Sequence, residues 1–265
     1  MGTIDERTDE QYEVLLSMFQ RLIDGINGGT LDLIMLQDII DRRSFFMFGY
    51  CADSFGLDIY EAIDIVKERN EGVLNPYEKE RRKCLIAAMD NLIDFAIAAE
   101  TQMYMDMENG EDDDPESTFL LYNKTYAKVE NNDIGFAAGI ASSFISMPEH
   151  STLTFMTQGD DRVRDSHRAL EGLSFPKYAF PEWLIPPIDW RCRCYLVESY
   201  ESPTFTHFER YEEKMENAVN PVFRESLATG GRIFGADHPY FTIDISLKNQ
   251  VYDLSSNIKG KYNLS

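Results

Sequence analysis

Positive charge is in short supply in this chain compared with negative charge. Its 265 residues carry 25 Lys and Arg against 46 Asp and Glu, a formal net charge of −21. Such acidity repels a phosphate backbone and argues against general nucleic-acid binding by the isolated chain. No apolar run approaches the ~20 residues that a membrane helix needs, so no membrane contact is expected. The opening MGTIDERTDE is acidic and polar, which is not the pattern of a signal peptide, and Glu6 stands where a myristoylation signal requires Ser or Thr. Cysteine is scarce as well. Cys51, Cys84, Cys192 and Cys194 make no secreted disulfide framework. Cys51 and Cys84 sit in apolar helical stretches and read as buried thiols that behave as small hydrophobes. Groups for independent catalysis are missing too. Ser166 adjoins His167 in sequence only, and Gly230-Gly231 is not followed by the Lys-Ser/Thr of a phosphate loop. The chain is therefore read as a non-enzyme.

What is present is uneven. Residues 1–118 hold 10 Lys and Arg against 27 Asp and Glu, whereas residues 119–265 hold 15 against 19. The first part is helical in pattern. Tyr12, Leu15, Leu16, Phe19, Leu22 and Ile23 recur at helical spacing over Asp9–Asp24, and Gly28-Gly29 ends that run. A second helix is expected from Thr30 towards Tyr50, and a third over Asp58–Glu71, ended by Gly72. Asn75 can cap a long fourth helix with Pro76 at its first position, along which Leu85, Ile86, Met89, Leu92, Ile93, Ala96 and Ile97 keep the period.

The stretch NGEDDDPES, residues 109–117, breaks the pattern with Gly110, four successive acidic residues and Pro115. Its acidic residues do not alternate as a calcium loop requires. It divides a helical domain, 1–110, from a mixed domain, 119–265, with 111–118 as an acidic linker. Residues 119–147 read as one or two helices, with Gly135 and Gly139 allowing close packing. Beyond them the period changes to two. Thr152–Thr157, Cys194–Val197 and Phe241–Leu247 are strand candidates. The expected class is α+β: a helical N-terminal part followed by a smaller mixed α/β domain with a short sheet.

Residues 157–197 carry the densest chemistry. Asp160, Asp161, Arg162, Arg164, Asp165, His167 and Arg168 alternate in sign within nine positions, and Gly159 to Cys194 holds six basic and six acidic residues. That balance favours internal ion pairs over a nucleic-acid patch. Pro186-Pro187 stiffens the approach to Trp190, which can anchor a loop on the core. The spacer Leu173–Asp189 reads as an excursion that returns to its base, so His167, Cys192 and Cys194 are expected to lie close together. On an extended strand, two cysteines one residue apart lie ~6–7 Å apart on one face and do not bridge. The three residues are soft ligands, and zinc on them is kept as an alternative to having no cofactor. A fourth ligand would come from Asp160, Asp161, Asp165, His207 or His238. A zinc hydrolase with Glu171 as base is a second alternative. A factor that contacts DNA through Arg162, Arg164, Arg168, Arg191 and Arg193 is a third.

The order Gly159-Asp160-Asp161, Val163-Arg164, His167, Leu170, Gly172, then Pro186-Pro187, Trp190 and Cys192-Arg193-Cys194 resembles the phage Mu F-like family of head morphogenesis proteins. A second segment, Gly230–Phe241 (GGRIFGADHPYF, with His238), is similar to the family's C-terminal stretch. Together they cover about 50 residues. Some members have Cys-x-x-Cys where this chain has Arg164-x-x-His167, and Arg164 cannot ligate a metal. The resemblance implies a minor head protein of a tailed phage or prophage. Such a protein is made in the host cytoplasm, is then carried in the virion, and acts with the portal or other head proteins in assembly and in DNA packaging or ejection. Self-association is left open. The family domain also occurs joined to toxin domains, and no such extra domain is visible after residue 197.

Overall fold

In a computed structural model the chain is α+β, as its periodicities imply. The structure describes residues 2–26, 33–68, 70–109, 115–200, 217–243 and 248–264. Six helices come first: α1 (Ile4–Ile26), α2 (Leu33–Ser54), α3 (Ile59–Lys67), α4 (Pro76–Asn109), α5 (Pro115–Leu120) and α6 (Ala127–Ser146). A π-helical stretch, Leu121–Tyr126, joins α5 to α6 without a break. Strands β1 (Thr152–Met156), β2 (Ser174–Pro176) and β3 (Tyr195–Ser199) follow, with the short helix α7 (Asp165–Arg168) between the first two. Helix α8 (Lys248–Gly260) lies near the C-terminus. No described helix is long and apolar enough to cross a membrane.

Helix α4 is the hub. Cys84, Leu85, Ala88, Met89, Leu92, Ile93, Phe95, Ala96, Ile97, Ala98 and Ala99 are all fully buried. Phe95 to Ala99 are buried without a break, so that part of the helix is surrounded rather than laid on a surface, and α2, α3, α5, α6 and α8 all pack on α4. Its start is a reciprocal cap. Glu78 N donates to Asn75 Oδ1 at 3.0 Å, and Asn75 N donates to Glu78 Oε2 at 2.8 Å. Burial pushes both Cys51 and Cys84 thiols up, Cys84 to about 12, as suits inert core residues.

One buried ionic group crosses this core. Arg43 of α2 donates to Glu100 of α4 at 2.7 Å and to Glu130 of α6 at 2.9 Å. Tyr240 Oη donates to Glu130 at 3.0 Å. Burial opposes the Arg43 charge, but the two glutamates outweigh it and hold its pKa up. Burial raises Glu130 despite the nearby guanidinium.

The sheet is antiparallel with β1 in the centre, in the order β2-β1-β3. Leu153 and Phe155 of β1 are buried and Thr154 and Met156 half-buried, the alternation of a strand with one covered face. Buried residues from both sides of the acidic stretch belong to one hydrophobic cluster, and α6 packs on α1 and α2.

Several expectations need correcting. The third helix ends at Lys67, because Glu68 is extended, and a separate 3-10 turn spans Glu71–Val73. The second strand begins at Tyr195, so Cys194 lies just before it. In the third strand candidate, Phe241 closes a 3-10 turn, Pro239–Phe241, and Thr242 and Ile243 are irregular; residues 244–247 lie outside those described, as do Gly28-Gly29 and 110–114. Pro115–Ser117, expected in the linker, already belong to α5. Gly135 does allow close approach, since a Cβ there would meet Ile4 Cδ1 at 2.9 Å, but Gly139 faces open space.

Candidate functional site

The site grows from the way the chain leaves and re-enters the sheet. After β1 the chain turns at Gly159, which takes φ +68, and descends through α7 to Gly172 at φ +84. Both values favour glycine. Gly172 N donates to Phe155 O and Phe155 N to Leu173 O, each at 2.9 Å, so the α7 loop is closed onto β1. His167 is thereby fixed on the inner side of α7, 2% exposed. The spacer then runs out through β2 and a cis Pro186-Pro187 bond and returns to Trp190.

At that return Arg191 adopts φ +54, the left-handed region that a non-glycine residue enters at a cost. Asp133 of α6 holds it there, accepting from Arg191 N at 2.9 and 3.1 Å. Burial pushes the Asp133 carboxyl up to about 7, against this backbone bond. The turn swings Cys192 and Cys194 inward, both 3% exposed.

His167, Cys192 and Cys194 meet. Nδ1 of His167 lies 3.5 Å from Cys194 Sγ and 3.8 Å from Cys192 Sγ. One ligand atom from each residue falls within 4.8 Å of the others. The sulfurs are thus closer than the extended-strand expectation, because residues 192–194 precede β3 and follow the left-handed turn. All four cysteines are free. The two thiols shift in opposite directions, each chiefly through the other: Cys192 is pulled down and Cys194 is pushed up.

Around this cluster the charged residues pair internally. Arg193 grips Asp160 with two bonds, 2.9 and 2.7 Å, which holds the Asp160 carboxyl down to about 2. Arg164 Nε lies 3.2 Å from Asp189 Oδ2, and its Nη2 donates to Trp190 O at 2.9 Å. Arg168 donates to the carbonyls of Asp160 and Val163. Arg162 is 80% exposed and only 3.7 Å from Asp160. Of the five arginines considered for DNA, three spend their guanidinium groups inside the loop.

The proposed fourth ligands do not gather. Asp160 belongs to Arg193, and Asp161 and Asp165 are not in the group of ligand atoms. His207 lies outside the described residues. His238 is elsewhere, packed against Phe95 and Trp190, with its Nδ1 accepting from Tyr240 N. Glu171, considered as a base, is exposed and accepts from Thr157 at 2.7 Å; it does not line the cavity beside the cluster.

The second family-like segment docks on the first. Trp190 stacks on Phe234 at 5.5 Å and meets Phe223 edge-on at 5.0 Å. Asn91 on α4 fixes the same segment, donating to Phe234 O and accepting from Ile233 N and Phe234 N. Asn91, Asp133 and Asp189 escaped the sequence reading, because a single polar residue in a helix or after a proline pair carries no local signal. Beside the cluster, an open groove of about 680 Å³ runs between α6 and the Arg191–Arg193 turn, with Lys124, Lys128, Phe136 and Arg191 in its walls.

Comparisons of the chain with protein-family models, with curated proteins and with solved structures give no match.

Proposed function

We propose that this chain is a structural component of a tailed-phage particle, a minor head protein that acts with the portal during head assembly. One observation carries the reading. The two motif segments, 159–194 and 230–241, pack on each other through Trp190, Phe234 and His238, and Asn91 pins the second of them to α4. The family-like residues support one another and build one packed module. Their packing gives the motif a physical reason to exist without catalysis, since interlocking residues in two distant segments specify a shape for a partner to recognise.

The acidic helical part supplies the electrostatics. It repels free DNA and favours a basic protein surface, where complementary charge speeds encounter and sets orientation. Co-purification with the portal tests this. Retention should fall as ionic strength rises and the Debye length shrinks from ~10 to ~3 Å. Failure to co-purify at any salt concentration would count against the portal as partner.

A further inference from the structure

We propose that His167, Cys192 and Cys194 hold one thiophilic divalent cation of the zinc class, bound through His167 Nδ1 and the two sulfurs. The separations match what such an ion would impose. With Zn–S near 2.3 Å and Zn–N near 2.1 Å, tetrahedral angles put nitrogen and sulfur about 3.6 Å apart and two sulfurs about 3.8 Å apart. The observed nitrogen-sulfur distances are 3.5 and 3.8 Å, and the sulfurs lie within the 4.8 Å span of the group. Both sulfurs face the same imidazole nitrogen, as ligands of one ion must.

A second observation is independent of the sulfurs. His167 Nε2 is buried and has no hydrogen-bond partner. The atom it faces is Asp189 Oδ2, at 4.0 Å. A metal on Nδ1 fixes the proton on Nε2, where a carboxylate is the usual orienting partner. Asp189 is itself fixed, since Oδ1 accepts from Trp190 N at 2.8 Å and from Asn220 Nδ2 at 3.0 Å. At 4.0 Å the contact is longer than a hydrogen bond, and it gives the Nε2 proton a fixed carboxylate to face.

The three ligands border a cavity of about 20 Å³ whose other walls are Gln158, Val163, Arg162, Arg164, Arg191 and Arg193, room for one small fourth ligand such as water or an anion. The ion would tie α7 to the Cys192–Cys194 turn, and so close the loop that carries Trp190. This site does not depend on the head-protein reading, since a metal can be counted on the purified chain alone.

The test is elemental analysis of the full-length chain, purified without a histidine tag and kept reduced. About one zinc per chain is expected. Cys192→Ser and His167→Gln should each lose most of it, whereas Cys51→Ser and Cys84→Ser should keep it. Cobalt added to the metal-stripped protein should give the visible bands of a tetrahedral cobalt thiolate. Asp189→Asn leaves all three ligands in place and should weaken zinc retention against a chelator by roughly 10–100-fold. If Cys192→Ser fails to fold, the cobalt spectrum of the unsubstituted chain and the Asp189→Asn competition still decide the matter. Reduced thiols with substoichiometric metal and no cobalt spectrum would overturn the proposal, as would a Cys192–Cys194 disulfide in the purified chain.

Discussion

Asn91 on the central helix and Phe234 in the C-terminal segment are joined by two hydrogen bonds: Asn91 Nδ2 donates to Phe234 O, and Phe234 N donates to Asn91 Oδ1, each at 3.0 Å. A third, from Ile233 N at 2.9 Å, completes the clamp. One buried amide thus satisfies three backbone groups that have no sheet or helix to belong to. Replacing it with Leu, which keeps the size, leaves those groups buried and unpaired. Asn91→Leu should cost about 2–4 kcal/mol in urea unfolding. A loss below about 0.5 kcal/mol would mean that water takes over the amide's role.

The Arg43–Glu100–Glu130 group makes a prediction in two parts. Arg43→Met strands two buried carboxylates and should cost about 3–5 kcal/mol. Adding Glu100→Gln and Glu130→Gln to it removes the stranded charges and should restore much of the loss. If the triple variant is no more stable than the single one, the cost lies in packing rather than charge.

Some of this was legible in the sequence, and the division has a physical basis. The α4 period announced a helix because seven apolar residues repeat within one element. The meeting of His167 with Cys192 and Cys194 was legible because the spacer has to return on itself. The ionic group was not. Arg43 lies in the polar-looking run DRRSFF, and nothing local says that Glu100 and Glu130, far along the chain, will face it. The left-handed turn at Arg191 was equally hidden, because the Asp133 that holds it is 58 residues away. Helix α8 was also missed. Its weakly apolar pattern is secured by Leu254 and Ile258 in the core and by Lys259 between Asp90 and Asp94, at 2.8 Å from each.

His238 sets a pH dependence. Burial, assisted by Arg43, lowers its pKa from 6.5 to about 4, and its Nδ1 must stay unprotonated to accept from Tyr240 N. Between those two values the unfolded chain takes up a proton that the folded chain refuses. The His238 contribution is therefore complete above pH 6.5 and is lost as pH falls towards 4, a change of about 3 kcal/mol. His238→Asn keeps a capping acceptor and removes the titration. It should flatten the fall of unfolding free energy over that window, whatever its effect on stability at neutral pH. An unchanged slope would show that His238 is not the group responsible.

Two glycines should respond in opposite directions to the same change. Gly172 sits at φ +84 with open space where a Cβ would go, so Gly172→Ala meets no clash and isolates the backbone cost, about 1–2 kcal/mol destabilising. Gly139, inside α6 and equally unobstructed, lacks the positive φ. Gly139→Ala should therefore stabilise by about 1 kcal/mol. Thermal unfolding of the pair decides it, and equal shifts would contradict the backbone argument.

The central claim is that this chain is part of a phage head. Quantitative mass spectrometry of purified particles, or of proheads from a host carrying the prophage, tests it most directly. The chain should be present at a reproducible ratio to the portal protein, and deletion of its gene should lower the yield of infectious particles. Its absence from both particles and proheads, with normal infectious yield after deletion, would contradict the account.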